Sequence, residues 1–206
     1  MESKNSKAIA IVALIVAVVG LGIGFAAFSS TLTISSSATV TPNADTFKVV
    51  FDTTTGITCT PTGATVTSKG TVAETTVSGI KIGFTEPGQS AICTVKAKNS
   101  GEYLAYLNSI TLGTLSCAKS ASSQADATLV AEACKGISVT VTAGTTSVTS
   151  TSTTSGTNTS IASHTLAKGA SENVTIKIEY AAGSARADGQ FDITVPDATL
   201  VYSSVD

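Results

Sequence analysis

The chain repeats one pattern many times: apolar and polar residues alternate along short segments. In NVTIKIEY, residues 173–180, the apolar residues are Val174, Ile176, Ile178 and Tyr180. Residues 31–40 and 136–141 follow the same period. A period of two places the apolar side chains of a strand on one face and leaves the other face in water. Because one apolar face must be covered, two such sheets have to pack against each other.

The alternation therefore predicts an all-β chain that folds as an antiparallel β-sandwich of jelly-roll or immunoglobulin-like kind. Further strands are expected at residues 46–51, 77–84, 90–98, 103–112, 190–195 and 198–203. The Ala-rich residues 120–135 are the candidate for a short helix. Residues 143–164 are rich in Ser, Thr and Gly, which predicts a long loop or two weak edge strands that add little core.

The N-terminus has the sequence pattern of an export signal. An apolar run, residues 8–28, follows Lys4 and Lys7 and ends in small residues, which is typical of a secretory signal. We predict that residues 1–27 are a signal peptide, handled by the export machinery and signal peptidase. A retained membrane anchor and a pilin-type assembly helix are the alternatives, because the run is nearly long enough to span a bilayer. In each case residues 28–206 form a single domain outside the cytoplasm, and any membrane contact is confined to residues 8–28.

Four cysteines lie in the exported part, and an even count there suggests two disulfides. Three pairings are possible. We favour Cys117–Cys134, which closes a loop of about 16 residues and stabilises the fold by about 3 kcal/mol. Cys59–Cys93 is then the second pair, and free buried cysteines are the alternative. No two cysteines show the spacing of a zinc site.

The composition argues against nucleic-acid binding and against catalysis. Charged residues make up 13% of the chain and the net charge is −2, so no basic face is available for phosphates. The single histidine, His164, follows the Ser/Thr-rich segment and is expected to be a solvated loop residue. The pair Asp188-Gly189 is expected to form a hairpin turn. We therefore predict no enzyme, no cofactor and no metal site.

The first strand directly follows the apolar run, and this position suggests a role in assembly. Residues 29–41 can pair within their own sandwich, or they can complete the sheet of a neighbouring copy as a donor strand. In the second case the apolar plugs are Leu32, Ile34, Ala38 and Val40. A head-to-tail joint of this kind does not close, so it generates a filament.

Two segments carry a family resemblance. The junction GIGFAAFSSTLTISSSATV and the block EPGQSAICTVKAKNSGEYLAYLNSITL, residues 86–112, resemble the TasA/camelysin family of secreted biofilm-matrix fibre proteins. The resemblance implies a jelly-roll-like sandwich whose copies join by an N-terminal donor strand, here residues 29–41. The four cysteines and the Ser/Thr-rich segment depart from the family, and no metalloprotease motif is present.

Two functions follow from these observations. The first is a structural subunit of an extracellular filament, biofilm-matrix fibre or pilus, a homopolymer whose copies join by donor-strand complementation. The alternative is a membrane-anchored or secreted surface protein that acts as a monomeric adhesin or ligand-binding module, or a pilin with a retained N-terminal helix. Both place the protein at the cell surface or outside the cell.

Overall fold

The computed structural model describes residues 29–34, 47–119, 123–159, 161 and 164–204. The predicted signal segment, residues 1–27, lies outside the described residues, as do Ala38 and Val40 of the expected donor strand. Within the described ranges, no helix is long and apolar enough to cross a membrane.

The described chain is built mainly from β-strands with one short helix. In chain order the elements are β1 (Ser29–Ile34), β2 (Val49–Phe51), β3 (Thr58–Thr62), β4 (Thr65–Val72), β5 (Val77–Gly83), β6 (Ser90–Asn99), β7 (Ala105–Leu112), β8 (Ser116–Lys119), α1 (Ala127–Lys135), β9 (Ile137–Ala143), β10 (Thr146–Thr151), β11 (Gly156–Asn158), β12 (Thr165–Leu166), β13 (Ser171–Tyr180), β14 (Phe191–Thr194) and β15 (Ala198–Ser203).

The strands form two main sheets and two small ones, and the named strands pair antiparallel throughout. The first main sheet has the order β1–β15–β7–β11, with β12 also pairing with β7. The second has the order β10–β9–β13–β6–β2, with β3 also pairing with β6. The small sheets are the hairpin β4–β5 and the pair β8–β14. This architecture confirms the predicted all-β sandwich.

The core contains the apolar residues that the alternation selects. On β13, Val174, Ile176, Ile178 and Tyr180 are at most 1% exposed, whereas the residues between them are half-buried. Each fully buried side chain of this kind stabilises the fold by about 1.5–3 kcal/mol. β13 lies between β6 and β9, so its apolar face is central to the second sheet.

The structure has both of the disulfides that the sequence favours. Cys59 and Cys93 are directly opposite each other on β3 and β6, and Cys117 on β8 is joined to Cys134 on α1. The helix lies within the segment 120–135 where the sequence predicts one, and it carries the second cysteine of this pair. Asp126 caps it by accepting hydrogen bonds from the backbone N–H groups of residues 129 and 128, and these bonds lower the pKa of its carboxyl.

Three expectations need correction. The segment 143–164 contains two edge strands, β10 and β11, which agrees with one of its two predicted alternatives. Val148 on β10 is buried in the core, however, so the expectation that this segment adds little core is wrong. Asp188-Gly189 is not a hairpin turn, because β14 pairs with β8 rather than with β13. The strand expected at residues 103–112 begins at Ala105, because Tyr103 and Leu104 precede β7 and are exposed.

Reduction of both disulfides should lower the melting temperature by at least about 10 °C. Each cross-link lowers the entropy of the unfolded chain and so raises the free energy of unfolding by about 3–4 kcal/mol. Calorimetry with and without reductant measures this shift. The Cys59→Ser/Cys93→Ser variant should lose more stability than the Cys117→Ser/Cys134→Ser variant, since the sequence separations are 34 and 17 residues. A melting temperature that is the same with and without reductant would contradict this account.

Candidate functional site

The expected donor strand forms one edge of the first sheet. In the described part of the chain, β1 pairs with β15 alone, and its backbone register sets Ser30 opposite Tyr202, Leu32 opposite Leu200 and Ile34 opposite Ala198. In this single chain the first strand is therefore paired within its own sandwich, which is the first of the two arrangements that the sequence allows. Leu32 and Ile34 lie in this strand.

The strand that receives β1 belongs to the core. Ala198, Leu200 and Tyr202 on β15 are all 0% exposed, while Thr199 and Val201 between them are half-buried. On its other side β15 pairs with β7, with a shift in register between Val201 and Tyr202. β15 therefore lies between β7 and β1, and it would present an unpaired backbone edge if β1 left.

The expectation of a solvated histidine is wrong: His164 belongs to a mostly buried polar cluster. Its Nε2 lies 2.7 Å from Oε2 of Glu172, and the two side chains are only 10% and 11% exposed. The hydroxyl of Tyr202 donates to Oε1 of the same carboxylate at 2.5 Å. One carboxylate therefore satisfies two buried polar partners, as buried polar groups require.

The cluster joins the two main sheets. Tyr202 comes from β15 of the first sheet and Glu172 from β13 of the second. His164 directly precedes β12, and its carbonyl oxygen accepts a hydrogen bond of 3.0 Å from the backbone N–H of Leu107 on β7. The strand that pairs with β1 is thus tied across the sandwich through its own tyrosine.

Burial raises the pKa of Tyr202, and the negative charge of Glu172 and the hydrogen bond to it act in the same direction. The phenol therefore remains a hydrogen-bond donor over the physiological pH range. The two hydrogen bonds of the cluster connect a histidine, a carboxylate and a phenol from different parts of the sandwich. The arrangement is that of a cross-sheet connection.

Glycine at position 144 makes room for the cluster. Gly144 follows β9 with a φ of +55°, and a β-carbon there would lie within van der Waals overlap of Cε1 of His164 and 3.1 Å from Oε2 of Glu172. The sequence carries no local signal for this contact, because the residues involved are 20 and 28 positions away from residue 144.

Among the described residues, no group of three or more His, Cys, Asp or Glu side chains is placed to hold a metal ion. Comparisons with protein-family models, with curated proteins and with solved structures found no match to this chain.

We expect Glu172→Ala to lower the free energy of unfolding by about 2–4 kcal/mol, because it leaves the partners of one buried carboxylate unsatisfied. Urea unfolding measures the loss. Glu179→Ala is the matched control: Glu179 lies on the same strand and pairs with Lys177, but it is 43% exposed. The control should cost about 0–1 kcal/mol. Equal losses for the two variants would show that the cluster contributes nothing beyond a surface ion pair.

Gly144→Ala should be more destabilising than Gly183→Ala, by about 1–3 kcal/mol, because only the first adds a clash. Both glycines have positive φ, +55° and +79°, so both variants pay the same kind of backbone cost. A β-carbon at Gly183 would meet nothing within 4 Å. Thermal unfolding of the two variants side by side is the measurement, and an indistinguishable pair of melting temperatures would disprove the close packing against His164.

Proposed function

We propose that the protein is a structural subunit of an extracellular filament or biofilm-matrix fibre that polymerises by exchange of its N-terminal strand. In the filament, the donor segment 29–41 of one copy reaches a neighbouring copy, and its β1 part takes the place beside β15 that β1 occupies in the single chain. The next copy then donates its own strand in the same way, so the contact repeats without closing.

The position of β1 is the observation that carries the proposal. Within the described residues it is an edge strand with one pairing partner, and it comes first among the described elements. Exchange between copies replaces each backbone hydrogen bond to β15 by an identical one from a neighbour. The free-energy cost is then limited to bringing the copies together and to the change in the connecting chain.

The chain is long enough for the exchange. Twelve residues, 35–46, separate the end of β1 from Phe47, which is buried at the edge of the core. An extended segment of that length reaches about 40 Å, which is longer than the ~30 Å diameter of a small domain. A swapped strand can therefore reach a neighbouring copy while the rest of the sandwich stays intact.

Three sequence features support an extracellular setting. The start of the chain has the charge and hydropathy pattern of an export signal, and the two disulfides are typical of proteins that mature in an oxidising compartment. The resemblance of residues 86–112 and of the N-terminal junction to TasA/camelysin fibre proteins points the same way. In this proposal the protein's partners are copies of itself, and it has no catalytic role.

Ile34→Asp should abolish filaments and leave a soluble, folded subunit, because it places a charge in the register position opposite buried Ala198. Negative-stain electron microscopy of the purified mature protein gives the readout. Thr33→Asp is the matched control, since Thr33 lies opposite half-buried Thr199 and should still form filaments.

N-terminal sequencing in the same experiment establishes where the mature chain starts. A start near Ala27 or Phe28 is expected, which leaves the donor strand at the free end. Normal fibres from the Ile34→Asp variant would refute strand exchange. A retained segment 8–28 in a membrane fraction, without threads, would favour the alternative of an anchored surface protein.

A further inference from the structure

A groove of about 1180 Å³ runs between the hairpin β4–β5 and the strand β14 with the loop that precedes it. One wall is formed by residues of β4 and by residues 81–85, and the other by residues 186–194. It is independent of the strand proposed for exchange, since neither β1 nor β15 contributes to its described lining. Its size is that of a site for a large ligand.

Two aromatic rings line the groove. Phe84 and Phe191 each pack edge-to-face with buried Tyr180, with ring centroids 6.0 Å and 6.3 Å from its ring. Tyr180 is 1% exposed, whereas both phenylalanines are only partly buried and line the groove. The groove therefore offers two apolar ring surfaces that are fixed by packing.

The rim is polar and has no excess of positive charge. Lys81 and Arg186 are matched by Asp188 and Asp192 among the lining residues, and all four side chains are exposed. Nη2 of Arg186 also lies 3.4 Å from Oε1 of Glu86, which is outside the lining. Exposed hydroxyl and amide groups come from Thr65, Thr67, Thr85 and Gln190, so the rim offers many donors and acceptors but no cationic surface for an acidic ligand.

One wall of the groove is braced from behind. β14 pairs with β8, and β8 is held to α1 by the Cys117–Cys134 disulfide. Oδ1 of Asp188 accepts a hydrogen bond of 3.0 Å from the backbone N–H of Asp126 at the start of α1. A β-carbon at Gly189 would lie 3.0 Å from Cβ of Ala125, so this loop packs closely against the segment before the helix.

Part of the backbone along one wall is already hydrogen-bonded. The carbonyl oxygen of Lys81 accepts from the Thr67 hydroxyl at 3.1 Å, and the backbone N–H groups of Thr85 and Glu86 donate to the Gln89 amide oxygen. Among the described strands, β5 and β14 each pair with a single neighbour, so addition of a peptide strand is the outcome that the test has to distinguish from ligand binding in the groove.

We propose that this groove is a binding site for a neutral oligosaccharide. The apolar rings of Phe84 and Phe191 suit the C–H groups of a pyranose, and the polar rim suits hydroxyl groups that both donate and accept. A neutral sugar chain brings many hydroxyls and no charge, and a rim without an excess of positive charge gives an acidic ligand no advantage. The braced wall reduces the ordering that binding would otherwise require.

The proposal is tested with the labelled full-length chain on an array of neutral glycans (β-glucan, mannan, galactan and chitin oligosaccharides), with alginate and hyaluronan as acidic controls. Binding to at least one neutral glycan and to neither acidic one is expected. Thr67→Arg should reduce that binding at least about tenfold by filling the groove with a charged side chain. Thr71→Arg, on the same strand but outside the groove lining, should leave it unchanged.

Gln190→Ala and Gln124→Ala provide a second matched pair, since both residues are exposed and only Gln190 lines the groove. Melting temperatures of all four variants check that each is folded. The proposal is overturned if no neutral glycan binds, if only the acidic glycans bind, or if the groove variants behave like their controls. A change in oligomeric state caused by Thr67→Arg alone would also overturn it, because the groove would then be a contact between copies.

Discussion

The alternation on β13 is the constraint on which the remainder of the sandwich depends. β13 pairs with β6 on one side and with β9 on the other, and its four apolar residues are almost wholly buried. A slip of one residue in either pairing would turn Lys177 and Glu179 into the core. The desolvation cost of those charges fixes the register of the central strand, and the register of its neighbours follows.

The long strands could be predicted because burial alone selects their residues. β6, β7, β9, β13 and β15 all lie within or close to segments that the alternation identifies. β3 and β4 escaped prediction because their residues, TCTPT and TVTSKGTV, are mostly polar and small, and they form strands through pairing rather than burial. Tertiary context overrides a weak local signal in such segments.

The polar cluster could not be predicted from the sequence for a different reason. Glu172, the second residue of β13, shares the side of Val174 and Ile176, so the alternation directs it toward the core but names no partner for it. His164 follows a low-complexity segment that carries no period at all. Their partner Tyr202 is 30 residues from Glu172 along the chain and belongs to the opposite sheet. Only the packing of the two sheets brings the three side chains together, and a single sequence does not encode that packing in any local period.

Tyr202 connects the cluster to the proposed assembly strand. Its backbone lies opposite Ser30 of β1, while its hydroxyl reaches Glu172 in the other sheet. β15 is therefore also held by β7 and by this hydrogen bond, neither of which involves β1. The acceptor edge should keep its shape when β1 departs, which is what strand exchange between copies needs. If such a filament also carried the glycan groove on each copy, many weak sites would act together. Avidity, rather than the affinity of one groove, would then determine how tightly the filament binds a polysaccharide matrix.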